Sequence, residues 1–335
     1  GLLRAGYHND GYLSTSLRHL GDYYSITGDT LYTLSDAYFQ IQDTRLKKQL
    51  RDYLLLFYNT YFNETMYSNL GWEGAQREAM QIPEDIQDDL ASVGKNTSNR
   101  NWPWSYPPQN IYAMWKFTQV FPDKCNDIYE QAKSVLPATY HTDNSQTWIN
   151  HAYMQGYIGY LNLYEMVGRP ESDSDIASMA QSNLDRLYSN RAQNFSQDSP
   201  WTGASNNKPF SISRNFIFLV PEIGEEFHTR IESKVQQAVD DYNYVAPYWM
   251  VNAYEASSPE RSIQVLYDPP ALLQAKAYIL KESQPELFKY LDAPFFIRGD
   301  LYYIQNLIAT IKAGAAEPKI SPHLTPTPRP CSMGC

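Results

Sequence analysis

Three cysteines in 335 residues are too few for a disulfide framework. Cys125 stands alone, and Cys331 and Cys335 sit near the end of a proline-rich stretch. Neither a C-x-x-C-H haem motif nor a paired C-x-x-C zinc signature occurs, so no metal and no cofactor is assigned. Cys125 is expected to be a small buried hydrophobe. No apolar run reaches the roughly 18 residues that span a bilayer, so no membrane partner is expected. An excess of positive charge is missing too: 27 Lys+Arg stand against 37 Asp+Glu, a formal net charge of −10. Nucleic-acid binding draws most of its affinity from cations on phosphates, so nucleic acid is not an expected partner. Net charge leaves room for a local basic surface. The chain opens on Gly-Leu-Leu-Arg with neither initiator Met nor signal peptide, which is read as a mature or excised piece of a longer precursor.

Aromatic residues are abundant: 28 Tyr, 13 Phe and 7 Trp. A tyrosine offers a flat apolar face and a polar tip, suited to stacking on sugar rings or to filling helix–helix interfaces. Most individual tyrosines are expected in the second role. Hydrophobic residues make up 43%, enough for a sizeable core. Asn-x-Ser/Thr sequons begin at Asn63, Asn96 and Asn194, compatible with a secreted or cell-surface chain.

One pattern recurs. Residues 20–29 read LGDYYSITGD and close an amphipathic run from residue 12. Residues 160–169 read YLNLYEMVGR and close another from residue 153. A third run, 111–122, ends on Pro122 in place of glycine. Superposing Gly28 on Gly168 aligns Tyr24 with Tyr164. Second helical runs are expected at 30–42, 124–136 and 174–190, with Asp29 and Asp173 as N-caps. Further helices are expected at 44–62, 221–242, 269–282 and 301–312. In 221–242, Pro221 opens the helix, and Ile231, Val235, Ala238 and Val239 mark its apolar face. No alternating strand series is found. Helix pairs repeated in this way predict an all-α fold, an (α/α) toroid, over residues 1–313. Long loops at 63–108 and 191–213 favour the toroid over an open solenoid. Residues 314–335 read as a Pro/Thr-rich linker tethering further modules.

Helix pairs with a "Tyr-x-x-Thr-Gly-Asp" turn resemble those of (α/α) toroid carbohydrate enzymes. Trp148-Ile-Asn150-His151-Ala-Tyr153-Met-Gln155 resembles the Asn-Asn-His-x-Tyr/Trp segment of alginate-lyase-like polysaccharide lyases, with Ile149 in place of the first Asn. The resemblance implies that Asn150 and His151 face a uronate carboxylate. Elimination removes a proton next to that carboxylate, so the charge must be neutralised and a base must stand near. A histidine titrates near about 6.5 and can take the proton. Tyr153 can share the proton work if a cation lowers its usual pKa of about 10. Gln155 falls in the same segment, and Arg214 is the nearest candidate for the family's downstream arginine.

A glycoside hydrolase instead needs two carboxylates across a cleft. Asp10, in His-Asn-Asp10-Gly-Tyr, resembles the Asp-x-Gly-Phe segment of unsaturated glucuronyl hydrolases, and Glu73 lies between Trp72 and Arg77 in a long loop. Trp102, Trp104 and Tyr106 form an aromatic, proline-held segment, either a sugar-stacking subsite or a lid on the core. Glu225 and His228 have the spacing of a di-iron ligand pair, but such a site needs two copies and one exists. The reading is an extracellular carbohydrate-active enzyme on a polysaccharide or oligosaccharide, leaning to a lyase. A hydrolase is the alternative, and a non-catalytic glycan-binding or helical-repeat scaffold module is the third reading.

Overall fold

The computed structural model describes residues 27–62, 108–140, 147–195, 216, 219–245, 274–282, 308–309 and 311–312. Among these residues the secondary structure is helical, with no strand. Seven long helices follow one another: α1 (Thr27–Gln40), α2 (Thr44–Tyr61), α3 (Gln109–Val120), α4 (Cys125–Val135), α5 (Thr147–Met166), α6 (Ser174–Gln193) and α7 (Pro221–Val245). No described helix is long and apolar enough to cross a membrane.

Three hairpins are evident: α1–α2, α3–α4 and α5–α6. The α3–α4 turn is made by the 3-10 turn Pro122–Lys124, where proline cannot extend the preceding ladder. In the α5–α6 turn Gly168 takes φ +88°, and the Arg169 amide donates to the Tyr164 carbonyl at 2.9 Å. This left-handed stop favours glycine. Asp43 caps α2, its Oδ1 accepting from the Leu46 amide at 2.8 Å.

The first helices of the three hairpins lie side by side. A Cβ on Gly159 would stand 2.6 Å from the Tyr112 Cα, so α5 meets the α3 backbone where glycine allows it. Gly156 lies against Pro108, Gly159 against Tyr112, and the Thr118 hydroxyl reaches the Met166 sulfur. Pairs advancing together along both helices make α3 and α5 parallel. Gly28 lies against Asn110 and the Tyr32 ring stands 5.2 Å from that of Tyr112, so α1 runs the same way. The N-termini of α1, α3 and α5 therefore share one end of this layer.

The core is aromatic at these contacts. Tyr58 of α2 stacks on Phe117 of α3 at 4.5 Å, and Phe117 stacks on Phe121 at 4.6 Å. Tyr112, Tyr157 and Tyr160 are fully buried, as expected of interface tyrosines. Cys125 is buried, and burial pushes its thiol pKa up. Ile231, Val235, Ala238 and Val239 are the buried face of α7, whose axis breaks at Ile231 (φ −139°).

Two local expectations are corrected. Gly28 does not end a helix; it lies in the first turn of α1. The threonines and aspartate around it favour helix starts as readily as turns; α1 covers most of the helix expected at 30–42, and the run expected from residue 12 lies outside the described residues up to residue 26. Asp173 occupies the N-cap position of α6 without capping it. Its carboxylate accepts instead from the Tyr129 hydroxyl at 2.7 Å and from Lys133 at 3.1 Å. Tyr129 and then Lys133 hold its pKa below the usual carboxylate value.

Candidate functional site

Helix α5 begins at Thr147, so Asn150 and His151 lie inside it, and Asn150 does not cap it. Both are buried, with 3% and 0% exposure, and so are Tyr153 and Gln155. Helical spacing puts His151 and Gln155 on one stripe, and Asn150 and Tyr153 on a neighbouring one. Because Gly156 lies beside Pro108 at the start of α3, the four residues occupy the part of α5 at the shared N-terminal end.

The His151 ring stands 5.7 Å from the Phe227 ring of α7. Arg191 of α6 approaches that same ring, its Cζ 6.0 Å from the centroid, and Tyr188 meets it edge-on at 6.2 Å. Arg191 is 2% exposed, and burial pushes its guanidinium pKa down to about 10. One aromatic ring thus gathers a histidine and a buried cation from two other helices. The Tyr153 ring lies 6.4 Å from that of Tyr140.

Two carboxamide oxygens near the shared helix N-termini are buried and accept no hydrogen bond among the described residues: Asn150 Oδ1 and Gln109 Oε1. Gln109 is 2% exposed and is the first residue of α3. A buried acceptor without a donor is costly, roughly 1–3 kcal/mol, and calls for a donor from elsewhere.

A second polar cluster is built differently. Glu222, at the start of α7, accepts from the Tyr112 hydroxyl at 2.7 Å and from Lys116 at 2.9 Å. The Asp36 carboxylate of α1 accepts from Lys312 at 2.6 Å. Tyr32 and Tyr278 are hydrogen-bonded to each other. Burial first, then the Asp36 and Glu222 charges, push the hydroxyl pKa values of Tyr32, Tyr112 and Tyr278 up. These tyrosines stay protonated donors. Donors and acceptors match within the cluster, which ties α1, α3, α7 and the segments around Tyr278 and Lys312.

Asp10, Trp72, Glu73, Arg77, Trp102, Trp104, Tyr106 and Arg214 lie outside the described residues. Arg191 was not singled out from sequence. Its signal was there: Ala177, Ala180, Leu184, Leu187 and Arg191 form one buried stripe, with arginine at a position that helical periodicity reserves for apolar residues. Asp36 and Glu222 carry no comparable signal, since chain topology alone brings them into one cluster. Glu225 pairs with Lys281, and His228 Nδ1 lies 2.7 Å from the Ile279 carbonyl, so neither side chain is set as a metal ligand. Among the described residues no group of three or more His, Cys, Asp or Glu gathers in a metal-holding arrangement. Compared with family models, curated proteins and solved structures, the chain matches none.

Proposed function

We propose that the chain is an extracellular carbohydrate-active enzyme, a toroid of helix hairpins that cleaves an acidic polysaccharide by β-elimination at Asn150 and His151. The observation that carries this reading is the pair of buried, undonated carboxamide oxygens of Asn150 and Gln109, at the end where α1, α3 and α5 all begin. Among the described residues these oxygens meet no donor, and sugar hydroxyls can supply one. The clustering of His151 and Arg191 around Phe227 adds a base and a cation. Ring closure is supported by the Asp36–Lys312 pair, which joins the first described helix to the last described segment.

In this mechanism His151 takes the proton next to the uronate carboxylate. The electron pair left behind forms a carbon–carbon double bond, and the bond to the bridging oxygen breaks. Tyr153 returns a proton to that oxygen. Asn150 donates to the carboxylate, and the Arg191 charge neutralises it in a water-poor site where Coulomb terms are large. Tethering outside the cell is supported by the sequons and the Pro/Thr-rich stretch at 314–335.

One observation favours hydrolysis: Asp36 and Glu222 act on the same three tyrosines. Against it, each carboxylate already holds a lysine. Incubation with a panel of polyuronates and neutral glycans separates the readings. Elimination yields an ultraviolet-absorbing unsaturated end that Asn150→Ala abolishes. Reducing ends without absorbance, lost in Glu222→Gln or in Asp10→Asn, mean hydrolysis. Binding without turnover, dependent on Trp102 or Trp104, means a glycan-binding module.

A further inference from the structure

In a chain of net charge −10, α2 is the described helix with the largest cationic excess. Arg45, Lys47, Lys48 and Arg51 fall within two turns, against Asp52 on the helix and Asp43 at its cap. The buried face of α2, Leu50, Leu54, Phe57 and Tyr58, is turned into the core. Arg45, Lys48 and Arg51 are exposed. Lys48 pairs with Asp52 one turn on at 2.6 Å, an exposed pair that a competing carboxylate can replace at little cost. Two of the other three cations are held by aromatic faces. The Arg51 Cζ stands 4.3 Å over the Phe121 ring, and the Lys47 ammonium stands 4.7 Å over the Tyr38 ring. A stacked guanidinium is pre-set, so less rotamer entropy is lost when it meets an anion. Leu56 is 65% exposed and lies about 16 Å along the helix axis from Arg45, beyond the last cation of the row.

We infer that the outer face of α2 is a docking track for an anionic polysaccharide chain, separate from the residues around His151. The identity of the polymer rests on the proposed function; the cationic track does not. Charge complementarity supplies the occupant. The chain as a whole repels a polyanion at long range, and a local row of cations about 9 Å long offsets this where the polymer lies down. A carboxylate on each of two or three successive sugars meets one cation each, and an exposed leucine covers the apolar face of a ring.

The test is gel retardation of the full chain through polygalacturonate, with a neutral glucan as control and anionic phospholipid vesicles as a third arm. The track predicts retardation by polygalacturonate alone, fading with added salt. Arg45→Glu with Lys48→Glu should weaken it by about tenfold or more, with the circular dichroism spectrum unchanged. Retardation should survive in His151→Ala, so loss of catalysis and loss of docking are read separately. Equal retardation in the double variant, retardation by the neutral glucan, binding to vesicles in place of the polymer, or no retardation would each overturn the inference.

Discussion

The Lys312 ammonium lies 2.6 Å from the Asp36 carboxylate, a contact between residues 276 apart in the chain. Asp36 is 5% exposed, so removing its cation leaves a nearly buried charge unmatched. Breaking a fully buried pair costs about 3–5 kcal/mol. The Lys312 side chain is 29% exposed, and solvent screening lowers the expected loss to about 1–3 kcal/mol. Lys312→Ala should show this in urea unfolding, whereas removing 316–335 should leave the midpoint unchanged. An unaltered midpoint in Lys312→Ala would show that the contact contributes nothing to stability.

Gly159 sits where α5 crosses α3, with room for no side chain. Alanine is the better helix former by about 1 kcal/mol, yet its methyl would be driven into the Tyr112 backbone. Gly159→Ala should therefore destabilise the fold by about 1–3 kcal/mol. Gly168→Ala should also destabilise, although nothing lies within 4 Å of it, because its cost is the positive φ. A melt that ranks Gly159→Ala above the parent would contradict the helix-crossing geometry, and one that ranks Gly168→Ala above it would contradict the left-handed turn.

Asp173 gives a pH signature. Its folded pKa is depressed below the reference of 3.8, first by the Tyr129 hydroxyl and then by Lys133. A depressed carboxylate stabilises the fold above its unfolded pKa, and that stability is lost as pH falls below about 4 toward the folded value. Tyr129→Phe removes the larger cause. The variant should be less stable at pH 7, and its stability should depend less on pH below about 4. Parallel acid-unfolding curves for the two proteins would refute the assignment.

Arg191 separates a structural role from a chemical one. Methionine refills the buried Arg191 position with an apolar chain, and such replacements of buried charge are often near neutral, so Arg191→Met should melt close to the parent. If the charge neutralises the substrate carboxylate, the same variant should lose roughly 10²–10³-fold in turnover. A marked fall in melting temperature with turnover per folded molecule intact would make it a structural residue.

Much of the helical layout was legible because amphipathic periodicity and breakers are local. Pro221 opened α7, Pro122 separated α3 from α4, and Gly168 stopped the turn after α5. Gly28 lies in a helix start and not a helix stop; a Thr-Gly-Asp sequence suits either. Asn150 and His151 could be picked out by residue type, but their burial was not legible, since the ring facing His151 is Phe227 of α7, 76 residues further along the chain. Arg191 left a trace as a charge on an apolar stripe. Asp36, Glu222 and Lys312 left none, since each looks like a surface charge until the chain folds back on itself.

The most direct measurement is the ultraviolet absorbance of a polyuronate solution over time, with the parent chain and with His151→Ala at matched folded concentration. General acid–base groups contribute roughly 10²–10⁴-fold in rate. The account predicts steady formation of a 4,5-unsaturated product by the parent, and a rate in His151→Ala lower by that factor. Product formation at the parent rate in His151→Ala, or new reducing ends from the parent without any rise in absorbance, would contradict it.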